Sequence, residues 1–344
     1  MDSSEVNHKK IYVTNIGYNM NNFKAFIYIN LKRLFIGRDK IEKQLSDSFC
    51  QYTDQEANDF IYETLNKYDG EKGIMMSKLG SIELNQMVST YFNDNGYTLK
   101  DLINYLNGRM PLVEQHVIKG LYNNAGVFPY GLKTARKFAR MAIQDCSEID
   151  ILGSYLNAER VLSDQLKNSI KVNLNAFYAP FLWRNPWTKF LRGKRVLVIH
   201  PFVESIEYQY TNNRTMIFQD PDVLPEFKEL ICIKAVQSQA GEKTKYLDWF
   251  EALQAMKDEI SKKDFDVAII GCGAYGMSLA AHVKRMGKVA IHLGGWVQML
   301  FGVYGKRWLV DQPEFAKFVN NKWIRPNENE RIKNASKIEG GAYW

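Results

Sequence analysis

Four short, almost wholly apolar segments punctuate the second half of this chain: Arg195-Val-Leu-Val-Ile-His200, Leu230-Ile-Cys-Ile-Lys-Ala235, Asp266-Val-Ala-Ile-Ile270 and Val289-Ala-Ile-His-Leu293. Each is too short for a stable helix and rich in β-branched residues, so each reads as a strand. Helical patterns separate them at 204–210, 246–263 and 275–286. Strands without a polar face must be covered on both sides, and a mostly parallel sheet crossed by helices does this. Right-handed crossovers then bring the C-terminal end of every strand to one rim. In open sheets of this kind, ligands bind at that rim near a switch in strand order.

The first half reads as largely helical, with helices over 55–67, 82–92, 99–107, 111–122, 132–145 and 157–167 and strands over 73–80 and 149–153. Residues 176–187 form an aromatic, proline-interrupted connector. Segment 22–43 sets Phe23, Phe26, Ile27, Leu31, Leu34 and Phe35 against Lys24, Lys32, Arg33, Arg38, Lys40 and Lys43. Such a basic amphipathic helix either packs on the core with a solvated basic face or lies on an anionic membrane surface. The end of the chain, Lys337-Ile-Glu-Gly-Gly-Ala-Tyr-Trp344, combines two glycines with two aromatics. It reads either as a disordered end or as a latch over a cleft. The expected organisation is a helical region over 1–70, an α/β domain over 71–310 and a C-terminal extension over 311–344.

Hydrophobic residues at 46% and charged residues at 24% exclude a disordered or collagen-like chain. Lys and Arg number 45 against 38 Asp and Glu, a net charge of +7. That surplus accords with an anionic ligand. The basic residues are spread rather than striped, so nucleic acid is not expected as a partner. Cys50, Cys146, Cys232 and Cys272 lie far apart with no CxxC pair, so neither a zinc site nor a redox motif is signalled. Free thiols in a reducing cytosol are the expectation. No apolar leader segment and no run of ~18 apolar residues is present, so neither a signal peptide nor a spanning helix is expected.

The sharpest local pattern is Gly271-Cys-Gly273-Ala-Tyr275-Gly276 between a strand and a helix. Glycines in that place let a backbone approach a phosphate at a helix N-terminus, or simply allow a tight βα turn. A dinucleotide site also needs an acidic residue at the end of the next strand to hold a ribose. That strand ends in His292-Leu-Gly294-Gly295, with no Asp or Glu, which weighs against NAD. A third turn, Ser77-Lys78-Leu-Gly80-Ser81-Ile-Glu83, joins a strand to a helix. Glu83 falls in the first helical turn, where it either caps the helix or serves chemistry. A fourth, His200-Pro201-Phe-Val-Glu204-Ser205, ends a strand at a proline and opens a helix with a carboxylate.

Together these pieces resemble the GT-D type of glycosyltransferase, a Rossmann-like family that uses nucleotide-sugar donors. The resemblance covers about residues 70 to 310. It is carried by Lys78-Leu-Gly80-Ser81-Ile-Glu83, similar to a family Arg-Phe-Gly-Asp-Gly-Glu stretch. Ala268-Ile-Ile-Gly271-Cys-Gly273-Ala and Ala290-Ile-His292-Leu-Gly294-Gly295, similar to a family Ala-Ile-Asp-Ile-Gly strand, add to it. The resemblance implies an Asp-x-Glu motif that binds Mn2+ or Mg2+ and the donor diphosphate. Glu83 matches its Glu, whereas Ser81 stands where the family has Asp, and His292 also replaces an Asp. Serine is a neutral, weak ligand for a hard cation. Metal is then held by Glu83 and phosphate alone or is not needed, in which case Lys78 and helix N-termini neutralise the diphosphate.

The expected activity is therefore sugar transfer from a nucleoside-diphosphate sugar to a glycan or lipid-linked acceptor in surface polysaccharide assembly. The enzyme is expected in the cytoplasm, with peripheral contact at the inner face of the membrane. Glu83 and Glu204 are the candidate catalytic carboxylates. Lys78, Gly80, Ser81, Gly271, Gly273, Tyr275, Gly276, His292, Gly294 and Gly295 are the candidate donor-binding residues. Two alternatives stay open: an NAD(P)-dependent oxidoreductase, and a non-catalytic nucleotide-binding or scaffold protein of the same fold.

Overall fold

The computed structural model describes residues 45–106 and 117–344, with Ile27, Asn30, Leu31 and Leu34 as isolated helical positions. Apart from those four positions, the basic segment 22–43 lies outside the described residues, as does the start of the helix expected over 111–122.

Seven strands form one sheet in the order β3-β2-β1-β7-β6-β4-β5, and every pairing is parallel. They are β1 (Ile74–Lys78), β2 (Ile151–Ser154), β3 (Ile170–Asn173), β4 (Arg195–His200), β5 (Glu229–Lys234), β6 (Val267–Ile270) and β7 (Val289–His292). The helices are α1 (Asp54–Asn66), α2 (Ser81–Asn95), α3 (Leu99–Leu106), α4 (Val117–Asn123), α5 (Leu132–Asp145), α6 (Leu174–Tyr178), α7 (Val203–Ile217), α8 (Trp249–Ile260), α9 (Tyr275–Arg285) and α10 (Trp296–Leu300). This is the expected α/β, Rossmann-like arrangement.

Strand periodicity divides the core into two layers. Met75, Leu152, Leu197, Ile199, Ala268, Ile270 and Ala290 face α2, α5, α8 and α9. Met76, Ile151, Val196, Val198, Val267, Ile269, Val289 and Ile291 face α1, α7, α10 and the aromatic connector around Trp187. This explains the near-continuous apolar character of the central strands, since neither face meets water.

Two differences from the sequence reading have clear causes. Strand β3 was not expected: it is a four-residue edge strand, Ile-Lys-Val-Asn, whose first two residues, Ile170 and Lys171, stay partly exposed. In place of a helix over 157–167 stands a 3-10 turn, Asn157–Leu162. Glu159 there folds back to accept the Tyr155 and Leu156 backbone N–H groups, both at 3.0 Å, which tightens the turn.

Topology fixes where a site forms. The chain leaves β1 and β6 toward one layer (α2, α9) and β7 and β4 toward the other (α10, α7). The four central strands β1, β7, β6 and β4 thus send their connections alternately to opposite faces. Such reversals open a crevice above the strand ends. Register aligns Ser77, His292, Ile270 and Ile199 in one row across it. Among the described residues, no helix is long and apolar enough to cross a membrane.

Candidate functional site

A cavity of about 380 Å3 occupies that crevice. The β1–α2 turn contributes Lys78, Gly80, Ser81 and Glu83, the β6–α9 turn Gly271 and Gly273, and the β7–α10 turn His292, Gly294 and Gly295. The three turns singled out in the sequence therefore share one hollow. The β4 end adds His200, Pro201 and Phe202.

Lys78 and Glu83 are its charged heart. Protein surrounds both, yet each keeps part of its surface open to the cavity. Among the described residues, Lys78 has no hydrogen-bond or ion-pair partner within contact distance, and the Glu83 carboxylate accepts only its own backbone N–H. Burial holds the Lys78 ammonium below its ordinary pKa; the Arg307 charge adds to this while Glu83 opposes it. Burial likewise lifts Glu83 above the usual carboxylate range, against the pull of Lys78. Two glycines make room for these side chains. A Cβ on Gly80 would stand 2.1 Å from Glu83 Oε2, and one on Gly294 would stand 2.9 Å from Lys78 Cε. Glu83 thus folds over the start of α2, where the backbone N–H groups favour a carboxylate.

The glycine-rich turn behaves differently. A Cβ on Gly271 would meet the Gly294 carbonyl oxygen at 2.3 Å, and one on Gly276 would meet His292 Nε2 at 2.3 Å. Gly273 adopts φ +56° beneath the Ala125 carbonyl, which also accepts the Ala274 N–H at 3.2 Å. Each glycine is therefore required by a protein neighbour. Gly271 and Gly273 still face the cavity, but Gly276 and Tyr275 are buried away from it. Tyr275 stacks on Trp249 with centroids 4.9 Å apart, and its hydroxyl lies 3.1 Å from Ser238 Oγ. Their expected contact with a donor is corrected to a packing role.

Glu204 is likewise corrected. It opens α7, but Glu330, itself 1% exposed, reaches in and accepts the Glu204 N–H at 2.8 Å and the Ser205 N–H at 3.3 Å. The anion position at this helix N-terminus is thus filled from within the chain. The Glu204 side chain points to solvent and pairs with Lys234 at 2.9 Å.

His292 lies on the floor, with Nδ1 3.0 Å from Ser77 Oγ. Burial, with the Lys78 charge adding, pushes its pKa down to about 3, so it is a neutral ring. Gly295 seats the chain end: a Cβ there would stand 2.4 Å from Tyr343 Cε1. Around that seat Gln298 Nε2 donates to the Tyr343 carbonyl at 3.1 Å, and the Lys306 and Arg307 N–H groups donate to Trp344 and Ala342. The end of the chain is thus a docked wall of the cavity, which answers the latch-or-disorder question.

Sequence reading missed Arg307 and Tyr155 among the lining residues, whereas Glu339, Tyr343 and Trp344 belong to the segment read as either a latch or a disordered end. Arg307 pairs with Glu339 and lies 4.5 Å from the Tyr343 ring centroid. His200 carried a readable signal, since it is the last residue of a strong strand. Among the described residues, no three His, Cys, Asp or Glu side chains converge as a metal-ion site. Glu83 has the neutral Ser81 beside it, and Glu339 is engaged by Arg307. This donor set does not fit a preformed Mn2+ or Mg2+ site. Comparison with known protein families, curated proteins and solved structures finds no match for this chain.

Proposed function

We propose that the protein is a glycosyltransferase that moves a sugar from a nucleoside-diphosphate donor to a glycan or lipid-linked acceptor. The observation that carries this reading is the pairing, on one turn, of an ammonium with no side-chain partner and a carboxylate held only by its own backbone N–H, both facing the same switch-point cavity. Lys78 binds the donor diphosphate. Glu83 takes the proton of the acceptor hydroxyl as its oxygen bonds to the anomeric carbon. The bond from that carbon to the diphosphate oxygen breaks, and the electron pair leaves on the diphosphate, where Lys78 stabilises it. The raised pKa of Glu83 makes it a stronger base than a solvated carboxylate. No step passes through a metal ion. A lipid-linked acceptor would place the enzyme at the cytoplasmic face of a membrane.

A thermal-shift screen tests this with UDP-, GDP-, CMP- and dTDP-sugars and NADH, each with and without Mn2+. A nucleoside-diphosphate sugar is expected to raise the melting temperature and NADH to leave it unchanged, because a ligand that binds only the folded chain stabilises it. Stabilisation by NADH alone would favour the oxidoreductase alternative, for which the β7 end lacks the ribose-binding carboxylate.

A further inference from the structure

Across the sheet from Lys78, the end of β4 carries a polar group that the reading above leaves unused. His200 is 2% exposed and lines the cavity. Its Nδ1 accepts the Phe202 backbone N–H at 3.0 Å. A ring nitrogen that accepts carries no proton, so the proton of the neutral imidazole sits on Nε2. Burial keeps the ring neutral, with its pKa pushed down to about 3, so it does not act as an acid or a base at ordinary pH. The Cδ2 edge of the ring lies against the glycine turn, where a Cβ on Gly271 would approach it to 2.9 Å. Among the described residues, Nε2 has no acceptor. The Nε2–H is therefore a donor of fixed tautomer with no protein partner, on a residue that lines the cavity and is available to a bound group.

The surroundings describe what that partner is. The Phe202 ring lies 5.1 Å from His200 and 5.3 Å from Trp344, centroid to centroid. Gln237 and Gln239 line the same end. Aromatic walls, two amides and one fixed donor suit a flat, polar heterocycle. Lys78 stands three strand positions away, roughly 14 Å at the usual strand spacing. A nucleoside can thus lie toward β4 while its diphosphate lies toward β1.

We infer that His200 is a specificity-determining donor that hydrogen-bonds the carbonyl oxygen at C4 of a pyrimidine or C6 of a purine, so that the site prefers bases with a keto group at that position. The inference rests on the nucleotide-sugar reading and deepens it. Uracil, thymine and guanine offer that oxygen, whereas cytosine and adenine present an amino group in its place. An amino group against the His200 N–H leaves two donors facing each other, both unpaired.

Titration calorimetry of the full chain with UDP, dTDP, GDP, CDP and ADP tests this on the wild type, His200→Asn and His200→Gln. Asn puts a carbonyl oxygen near the Nδ1 position and keeps the Phe202 bond, but its NH2 falls near the Cδ2 position against the Gly271 turn, so no donor stands where Nε2 was. Gln extends an amide N–H to the Nε2 position, and it supplies the reading if the Asn variant does not fold. The expected result is keto nucleotides bound about 10-fold tighter than amino ones by the wild type. His200→Asn weakens the keto group about 5- to 10-fold and leaves the amino group unchanged, and His200→Gln restores part of the loss. Equal binding of CDP and UDP by the wild type overturns the inference, as does His200→Asn binding UDP like the wild type. If no nucleotide binds the wild type at all, the nucleotide-sugar reading falls first.

Discussion

The β1–α2 and β6–α9 turns occupy the same structural place, at the end of a central strand where a long helix begins. They differ in what remains unspent. In the glycine-rich turn, Gly271, Gly273 and Gly276 are each pressed against a protein atom, and the Ala274 N–H already has an acceptor. In the charged turn, Lys78 and Glu83 face the cavity and, among the described residues, neither is engaged by another side chain. The pattern that looks most like a ligand-binding signature is consumed by packing, and the plainer turn holds the free chemistry. Glycine spacing reports how closely backbones approach. It reports ligand binding only where the approaching group is a ligand.

Glu83→Gln gives the largest expected effect. It removes the base while keeping size and hydrogen-bonding capacity, so the transfer rate should fall 100- to 10,000-fold. Stability should move the other way. Burial raises the Glu83 pKa, so its folded value lies above the ordinary 4.5. The protonated form is thus the one the fold favours. Wild-type stability from this group is fully present below pH 4.5 and is lost as the pH rises through the raised value. Melting curves of Glu83→Gln should therefore exceed the wild type at neutral pH and converge with it below about pH 4. Wild-type rate should fall on the acid side through the raised Glu83 pKa and on the alkaline side through the lowered Lys78 pKa. A variant with an unchanged rate would remove the charged turn from the chemistry.

Gly276→Ala probes the other turn. Its new Cβ would sit 2.3 Å from His292 Nε2, and that ring is held by Ser77 at its far nitrogen. Overpacking of this kind costs about 1–3 kcal/mol, measurable by urea denaturation. Nucleotide affinity per folded molecule should hold. The reverse outcome, full stability with lost affinity, would return the glycine motif to ligand binding and erase the contrast.

The same distinction governs what could be read from residues alone. Strands β4 to β7 were legible because burial on both faces leaves no polar alternation to misread. Strand β3 was not, because a short edge strand carries Lys171 and Asn173 among its four residues. The rim was legible as a place, since topology sends every strand end there. Its walls were legible only in part: segment 337–344 offered a latch but not its seat, since Arg307, Tyr343 and Trp344 reach the cavity because the chain end docks on Gly295 and Gly305, and no local spacing encodes that contact. The occupied N-terminus of α7 was equally invisible, as Glu330 lies more than a hundred residues from the helix it caps.

Glu204 turns that last point into the smallest expected effect. Glu83 and Glu204 both stand in the first turn of a helix that follows a central strand, and by sequence they are equivalent candidates. In α2, among the described residues, no other carboxylate takes the helix start, so Glu83 remains over it and faces the cavity. In α7 the buried Glu330 takes the first N–H groups and turns Glu204 outward to Lys234, where both side chains are nearly half exposed. An exposed pair of this kind contributes about 0–1 kcal/mol. Glu204→Gln should therefore shift the urea midpoint only slightly and leave the transfer rate within about twofold of the wild type. A loss comparable to that of Glu83→Gln would mean that position in the helix, rather than access to the cavity, decides which carboxylate acts.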